Sequence, residues 1–178
     1  MSFGDFPVRT RQHWHARPWK DYAAQDPPQV AYVHHGAESD HEARSITTWA
    51  KMYDAMRGIQ NFHMDGRGWA DVAYHYVVFQ KHGKFNQPNI CVGRPVNHVP
   101  AAQLNHNTGT LAICVYGTID EGDPLENSTS HAIAAILRHH GIDRVGGHRD
   151  VTETSCPGDM LYHALDGIAR HAGIARVR

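Results

Sequence analysis

The chain has 178 residues, which fits one compact domain that can bury a core without disulfide staples. Its 17 Lys and Arg against 18 Asp and Glu give a formal net charge of −1, so the balance excludes the basic footprint of a nucleic-acid-binding protein. No stretch approaches the roughly 18 apolar residues of a membrane span, and the first residues contain no apolar signal core. These features predict synthesis in a cytoplasm, without membrane insertion.

The N-terminal residues 1–28 are rich in Pro, Arg and aromatic side chains and show no clean period. We expect them to form an arm that packs on a single domain formed by residues 29–178. An apolar, β-branched and aromatic run from Val30 to His35 opens that domain and predicts a short buried strand. His34 and His35 then lie at the carboxyl end of this strand and point to opposite faces.

A capping-box pattern follows the first strand. Ser39 is succeeded three residues later by Glu42, and apolar residues then recur at helical spacing. We predict one long amphipathic helix over roughly 40–63.

Two further strands are predicted in the middle of the chain. Residues 72–79 alternate, which places Tyr74 on the same face as Tyr76. Residues 111–116 form another apolar run, and an acidic loop at 120–124 follows it. Strands of this kind supply the interior of a sheet.

The C-terminal third predicts two more helices. One runs over about 128–140 and closes at Gly141, and a final helix follows Pro157. The order of strands and helices predicts an α/β domain in which a central mixed β-sheet is flanked by helices.

Residues 148–159 carry the strongest chemical signal. They place the imidazole of His148 and the thiol of Cys156 eight residues apart, with Thr154 between them. Neutral imidazole and thiolate are ligands that zinc prefers, and these two leave room for a third protein ligand and a water. The other cysteines, Cys91 and Cys114, are most simply free thiols. A zinc site is therefore predicted, with its third ligand left open.

Several motifs in order give the chain a family resemblance. It resembles the zinc-dependent N-acetylmuramoyl-L-alanine amidases, the family that includes phage amidase endolysins and the peptidoglycan recognition proteins. The matching segments are His34 at a strand end, Gly68 to Tyr76, Gly93 to Pro95, His106 to Val115, and 148–159.

This resemblance implies the identity of the site residues. It assigns His34, His148 and Cys156 as zinc ligands and gives Tyr74 and Thr154 catalytic positions. Three protein ligands would leave zinc an open position, as in catalytic sites. We expect a zinc-activated water to attack the amide carbonyl while Tyr74 and Thr154 donate hydrogen bonds to the developing oxyanion.

Two residues are candidates for contact with the substrate. Trp69 could line the substrate cleft or brace the loop before a strand, and Asn107 could contact the glycopeptide or cap a turn. Two features depart from the family pattern: the hairpin between Gly83 and Gly93 is longer than usual, and Ala102 stands where many relatives carry His. His63 is interpreted as a surface or packing residue.

The resemblance implies hydrolysis of the amide between N-acetylmuramic acid and L-alanine in peptidoglycan. The leading hypothesis is a monomeric phage-type cell-wall lysin, made in the host cytoplasm and acting on the wall after release. A cytosolic amidase that recycles muropeptides is an alternative with the same chemistry. A recognition module that binds peptidoglycan without cutting it is an alternative of another class, and Cys156 argues against it because non-cutting relatives commonly lack this residue.

Overall fold

A computed structural model of the protein describes residues 2–21, 23–36, 38–119 and 125–177. The acidic loop predicted at 120–124 lies outside the described residues. The strands are β1 (Ser2–Phe3), β2 (Phe6–Arg9), β3 (Val30–His35), β4 (Tyr76–Phe79), β5 (Asn89–Val92), β6 (Thr110–Val115), β7 (Arg144–Gly147) and β8 (Ala175–Arg176). The helices are α1 (Asp40–Ser45), α2 (Trp49–Asn61), α3 (Asn127–His139) and α4 (Asp159–Ala172), and none of them is long and apolar enough to cross a membrane.

The described strands form one mixed sheet in the order β1-β2-β5-β4-β6-β3-β7-β8. β4, β6, β3, β7 and β8 are parallel to one another, whereas β5 runs antiparallel to β4 and β1 runs antiparallel to β2. The predicted α/β class and central mixed sheet are confirmed. The segment 1–28, expected as an arm, contributes β1 and β2 to the sheet edge.

The two faces of the sheet bury separate apolar clusters. Buried residues of α3 and α4 pack with strand residues such as Val33 and Tyr76 on one face. Met52 and Met56 of α2 pack with Val77 on the other face. The sheet is therefore covered on both sides, as parallel strands require.

The helix predicted over 40–63 is interrupted. The capping box of Ser39 and Glu42 is confirmed at the start of α1. After α1 come Ile46 and two threonines, and the hydroxyl of Thr48 accepts a hydrogen bond from the Lys51 amide to cap α2. The prediction of one long helix was wrong because β-branched residues and a competing N-cap outweigh the apolar period.

The strand predicted over 72–79 begins only at Tyr76. Tyr74 packs with the cluster on the α2 side, whereas Tyr76 belongs to the α3 and α4 side, so the prediction that they share a face was wrong. The backbone before β4 is irregular, and the carbonyl of Tyr74 accepts a hydrogen bond from the Arg94 amide. A Cβ on Gly93 would lie 2.3 Å from that carbonyl oxygen, so this close approach requires glycine.

Candidate metal centre and cleft

Strand register brings two predicted ligands together. β3 and β7 are parallel neighbours in which Val33 is paired with Gly147, so His34 and His148 emerge side by side at one edge of the sheet. Their ring centroids are 4.6 Å apart. Val33 faces the α3 and α4 side, and the alternation of a strand therefore turns His34 toward α2.

Cys156 reaches the same point from the loop between β7 and α4. Its Sγ lies 3.8 Å from His34 Nδ1, and it accepts a hydrogen bond from the backbone amide of His35 at 3.4 Å. The following Gly158 has φ +84°, and a Cβ there would lie 1.8 Å from the carbonyl oxygen of Ile119. Glycine thus lets the loop pass close enough to place the thiol beside the imidazoles.

The donor set fits a zinc ion. The ligand atoms of His34, His148 and Cys156 all lie within 4.8 Å of one another. Zinc–nitrogen and zinc–sulfur bonds of about 2.0 and 2.3 Å in tetrahedral geometry separate such ligands by roughly 3.6 Å, close to the Sγ to Nδ1 distance of 3.8 Å. The three residues could therefore hold zinc with one open position.

A buried amide orients the first imidazole. Gln103, which is fully buried, places its Oε1 3.0 Å from His34 Nε2. An oxygen in that place accepts from an Nε2–H, so the Nδ1 lone pair of His34 is left facing Cys156. Burial lowers the pKa of His34 to about 3 and also lowers the pKa of His148, which keeps both rings neutral and able to bind a metal.

The thiol is not acidic by itself. Burial raises the pKa of Cys156 to about 11, and the hydrogen bond from the His35 backbone opposes this shift. A bound cation would favour the thiolate, so metal binding at this site should release a proton.

The two predicted catalytic side chains lie at the same centre. The ring of Tyr74 is 5.4 Å from that of His34, centroid to centroid. Burial, together with the nearby thiols of Cys114 and Cys156, raises the pKa of Tyr74 well above its usual value, so the hydroxyl keeps its proton and can donate. Thr154 Oγ1 accepts a hydrogen bond from the Cys156 amide at 3.2 Å, which leaves its own proton available.

These side chains line one cleft of about 880 Å³, which is large enough for a glycopeptide fragment. Trp69 lines it, with its ring 4.9 Å from that of His63. Trp69 therefore packs on a neighbouring ring and lines the cleft, while its contact with substrate stays a prediction. Arg67 and Glu38 also line the cleft, and burial raises the pKa of Glu38.

Asn107 lies elsewhere. Its Oδ1 accepts hydrogen bonds from the amides of Ala102 and Gln103, each at 3.0 Å, and it is not among the described residues that line the cleft. The turn-capping interpretation therefore describes its observed contacts, and its contact with substrate stays a prediction. By holding the turn, Asn107 positions Gln103 behind His34.

Sequence reasoning missed three contributors to this centre. No local signal singles out Gln103, because its relation to His34 spans 69 residues of chain. Glu38 carries no motif of its own. His63 is buried in the cleft wall, and its spacing of four residues from Ile59 on α2 could have indicated this, since both line the cleft.

The fold and site together define an α/β domain in which a His-His-Cys group that could hold a metal ion lies in a large cleft at the carboxyl ends of the strands. The family model for N-acetylmuramoyl-L-alanine amidases matches residues 24–159. The chain belongs to this family.

Curated relatives agree with that assignment. The N-acetylmuramoyl-L-alanine amidase of Sus scrofa is 28% identical over 169 residues, which is 89% of this chain and 26% of the relative. The chain thus spans about a quarter of the length of that relative. Peptidoglycan-recognition protein SC1a of Drosophila melanogaster is 27% identical, with 80% of this chain and 75% of the relative covered.

Solved structures share the fold. The Drosophila peptidoglycan recognition protein SD superposes with a TM-score of 0.77 at 24% identity, covering 91% of this chain and 94% of that one. Peptidoglycan recognition protein LE, solved with tracheal cytotoxin, gives a TM-score of 0.74 at 25% identity, covering 90% and 92%.

Proposed function

We propose that the protein is a zinc-dependent amidase that hydrolyses the bond between N-acetylmuramic acid and L-alanine in peptidoglycan. One observation carries the proposal: His34, His148 and Cys156 converge, with Tyr74 beside them, in the large cleft. A module that only binds the wall has no need of a thiol and two neutral imidazoles facing one another beside a phenol.

The chain's own residues have defined parts in this reaction. When bound, zinc would supply Lewis acidity at the amide carbonyl and lower the pKa of a water. Tyr74, protonated at neutral pH, donates a hydrogen bond to the oxygen on which negative charge develops. Thr154 presents a second hydroxyl from the ligand loop. Gln103 keeps His34 in the tautomer that offers Nδ1.

The cleft also suits a charged peptide. Stem peptides of peptidoglycan carry free carboxylates and amines, and Arg67 and Glu38 offer charges of both signs along the cleft wall. The structure of peptidoglycan recognition protein LE was solved with a monomeric diaminopimelic acid-type peptidoglycan fragment, which supports peptidoglycan as the ligand class.

For the biological role we propose a phage-type lysin that acts on the bacterial wall after release from the host cytoplasm. The recycling amidase and the non-cutting recognition module are the alternatives. Activity on intact walls, compared with activity on soluble muropeptides, separates the lysin from the recycling enzyme.

The deciding experiment incubates purified walls with the protein, with and without a chelator, and measures new free amines and new reducing sugars. We expect amines alone, abolished by the chelator and restored by zinc. His148→Ala should lose stoichiometric zinc and activity together, while His163→Ala, which removes an exposed imidazole outside the cleft, should keep both. Binding of walls with no amine release would establish the recognition module, and reducing sugars would identify a glycosidase.

A further inference from the structure

A second cavity lies where β2, the first turn of α2 and the loop between β4 and β5 meet. Its volume is about 480 Å³, within the range of roughly 300–1,000 Å³ typical of small-ligand sites. It shares no lining residue with the cleft. The side chains that matter here are those of Arg9, Thr48, Trp49, Lys84 and Phe85.

Arg9 lines this cavity and forms no ion pair with any residue that the structure describes. Its guanidinium carbon sits 3.8 Å from the centroid of the Trp49 ring, which fixes the side chain by a cation–π contact. Its Nε is buried and has no hydrogen-bond partner within the described residues. By contrast, Arg11 pairs with Asp71 at 2.7 Å. A half-buried guanidinium that has no anionic partner among the described residues is costly, and an anion in the cavity would offset that cost.

Lys84 is the other charged residue among the described residues that line the cavity, and it is also positive. The Lys84 side chain is exposed, and no acidic residue of the described ranges lines the cavity. The N-terminus of the 13-residue helix α2, capped by Thr48, adds a partial positive charge. The rings of Trp49 and Phe85, with centroids 4.7 Å apart, supply an apolar wall.

We propose that this cavity binds an oxyanion, a phosphate or carboxylate group, through the guanidinium edge of Arg9 and the ammonium of Lys84. Trp49 and Phe85 would contact the body of the molecule that carries the anion. Lys84 and Phe85 both lie in the loop between β4 and β5, so one loop supplies the second cation and part of the apolar wall. The site is independent of the metal centre and of the reaction proposed there.

The test uses side-chain NMR of the full chain, following the Arg9 Nε–H resonance during titration with inorganic phosphate and, separately, with sodium acetate. Sodium chloride at matched ionic strength is the control. We expect a saturable chemical-shift change with a millimolar dissociation constant. The anion that binds with the lower dissociation constant shows whether the site favours a phosphate or a carboxylate. Arg9→Gln should weaken binding, followed by the Trp49 indole resonance, by about ten- to a hundredfold.

Two variants guard against a folding artefact. Lys84→Gln changes an exposed side chain and should weaken anion binding several-fold, whereas Lys81→Gln, which removes a charge paired with Glu126 outside the cavity, should leave it unchanged. A shift that never saturates, that chloride reproduces, or that Arg9→Gln and Lys84→Gln both leave intact would overturn the proposal.

Discussion

Gln103→Leu is the sharpest test of how the metal centre is held. The change removes an amide while keeping a similar volume in a fully buried position. It would leave His34 Nε2–H without an acceptor, and it would remove the donor 2.6 Å from Thr110 Oγ1. The Thr110 hydroxyl still donates a hydrogen bond to the Asn107 carbonyl at 2.6 Å. His34 is therefore the residue that loses its hydrogen-bond partner.

The expected magnitudes follow from these contacts. Loss of a partner behind a metal-binding histidine typically weakens metal affinity about 10- to 100-fold. An orphaned buried donor should also lower the free energy of unfolding by about 1–3 kcal/mol. Zinc affinity is measured by competition with a chromophoric chelator, and stability by urea unfolding of the metal-free protein.

Gln60→Leu is the matched control. Gln60 is also fully buried, and its amide bonds to Asp71 at 2.6 Å and to the backbone of Arg17, away from the metal ligands. The Gln60→Leu variant should lose about as much free energy of unfolding as Gln103→Leu, and its zinc affinity should equal that of the wild type. If Gln103→Leu bound zinc like the wild type, or if Gln60→Leu weakened zinc equally, the orienting role of Gln103 would be refuted.

The remaining predictions concern catalysis, the ligand loop and pH. Tyr74→Phe should lower kcat for amine release roughly 10²–10³-fold and leave the zinc content unchanged. Tyr53→Phe changes a tyrosine outside the cleft and should leave kcat unchanged in the same assay. Gly158→Ala should destabilise the protein by several kcal/mol in urea unfolding because its Cβ would meet backbone at 1.8 Å, whereas Gly141→Ala, with φ +60° and open space, should cost about 1 kcal/mol. Burial lowers the pKa of His75 to about 4, so below pH 6.5 the unfolded chain binds a proton at His75 that the folded chain does not. The contribution of His75 to the free energy of unfolding should therefore fall by up to about 3 kcal/mol between pH 6.5 and pH 4, and a His75 ring that titrates near 6.5 by NMR would contradict this.

Much of the fold could be predicted from local patterns. The strand at Val30–His35 and the helix that ends near Gly141 have dense apolar runs bounded by clear stop signals, and both lie where the sequence places them. The break between α1 and α2 could not be read from the period alone. The polarity of residues 46–48 fits a helix, and the break comes from their β-branched side chains together with the N-cap that Thr48 provides.

The proposed metal ligands and the residues around them differ in how well their positions can be predicted from the sequence. His34 lies near the carboxyl end of β3 and His148 directly follows β7. Parallel strands end at the same edge of a sheet, so the two side chains become neighbours once β3 and β7 are paired, and that pairing is seen in the structure. Tyr74 precedes its strand instead, and a backbone irregularity turns its ring to the α2 face. A strict alternation of residues therefore predicts the wrong side for Tyr74 even where the motif names the right residue.

The contact between Gln103 and His34 could not be predicted from local sequence patterns. A histidine that binds metal needs a second partner on its free nitrogen, and that requirement is general, but the identity of the partner is fixed by a turn 69 residues away that Asn107 holds in place. Asn107 thus affects the centre without lining the cleft, through Gln103 and His34 in turn. A substitution at Asn107 should therefore lower zinc affinity more than it weakens substrate binding, because the contact that Asn107 supports is to His34, one of the proposed metal ligands.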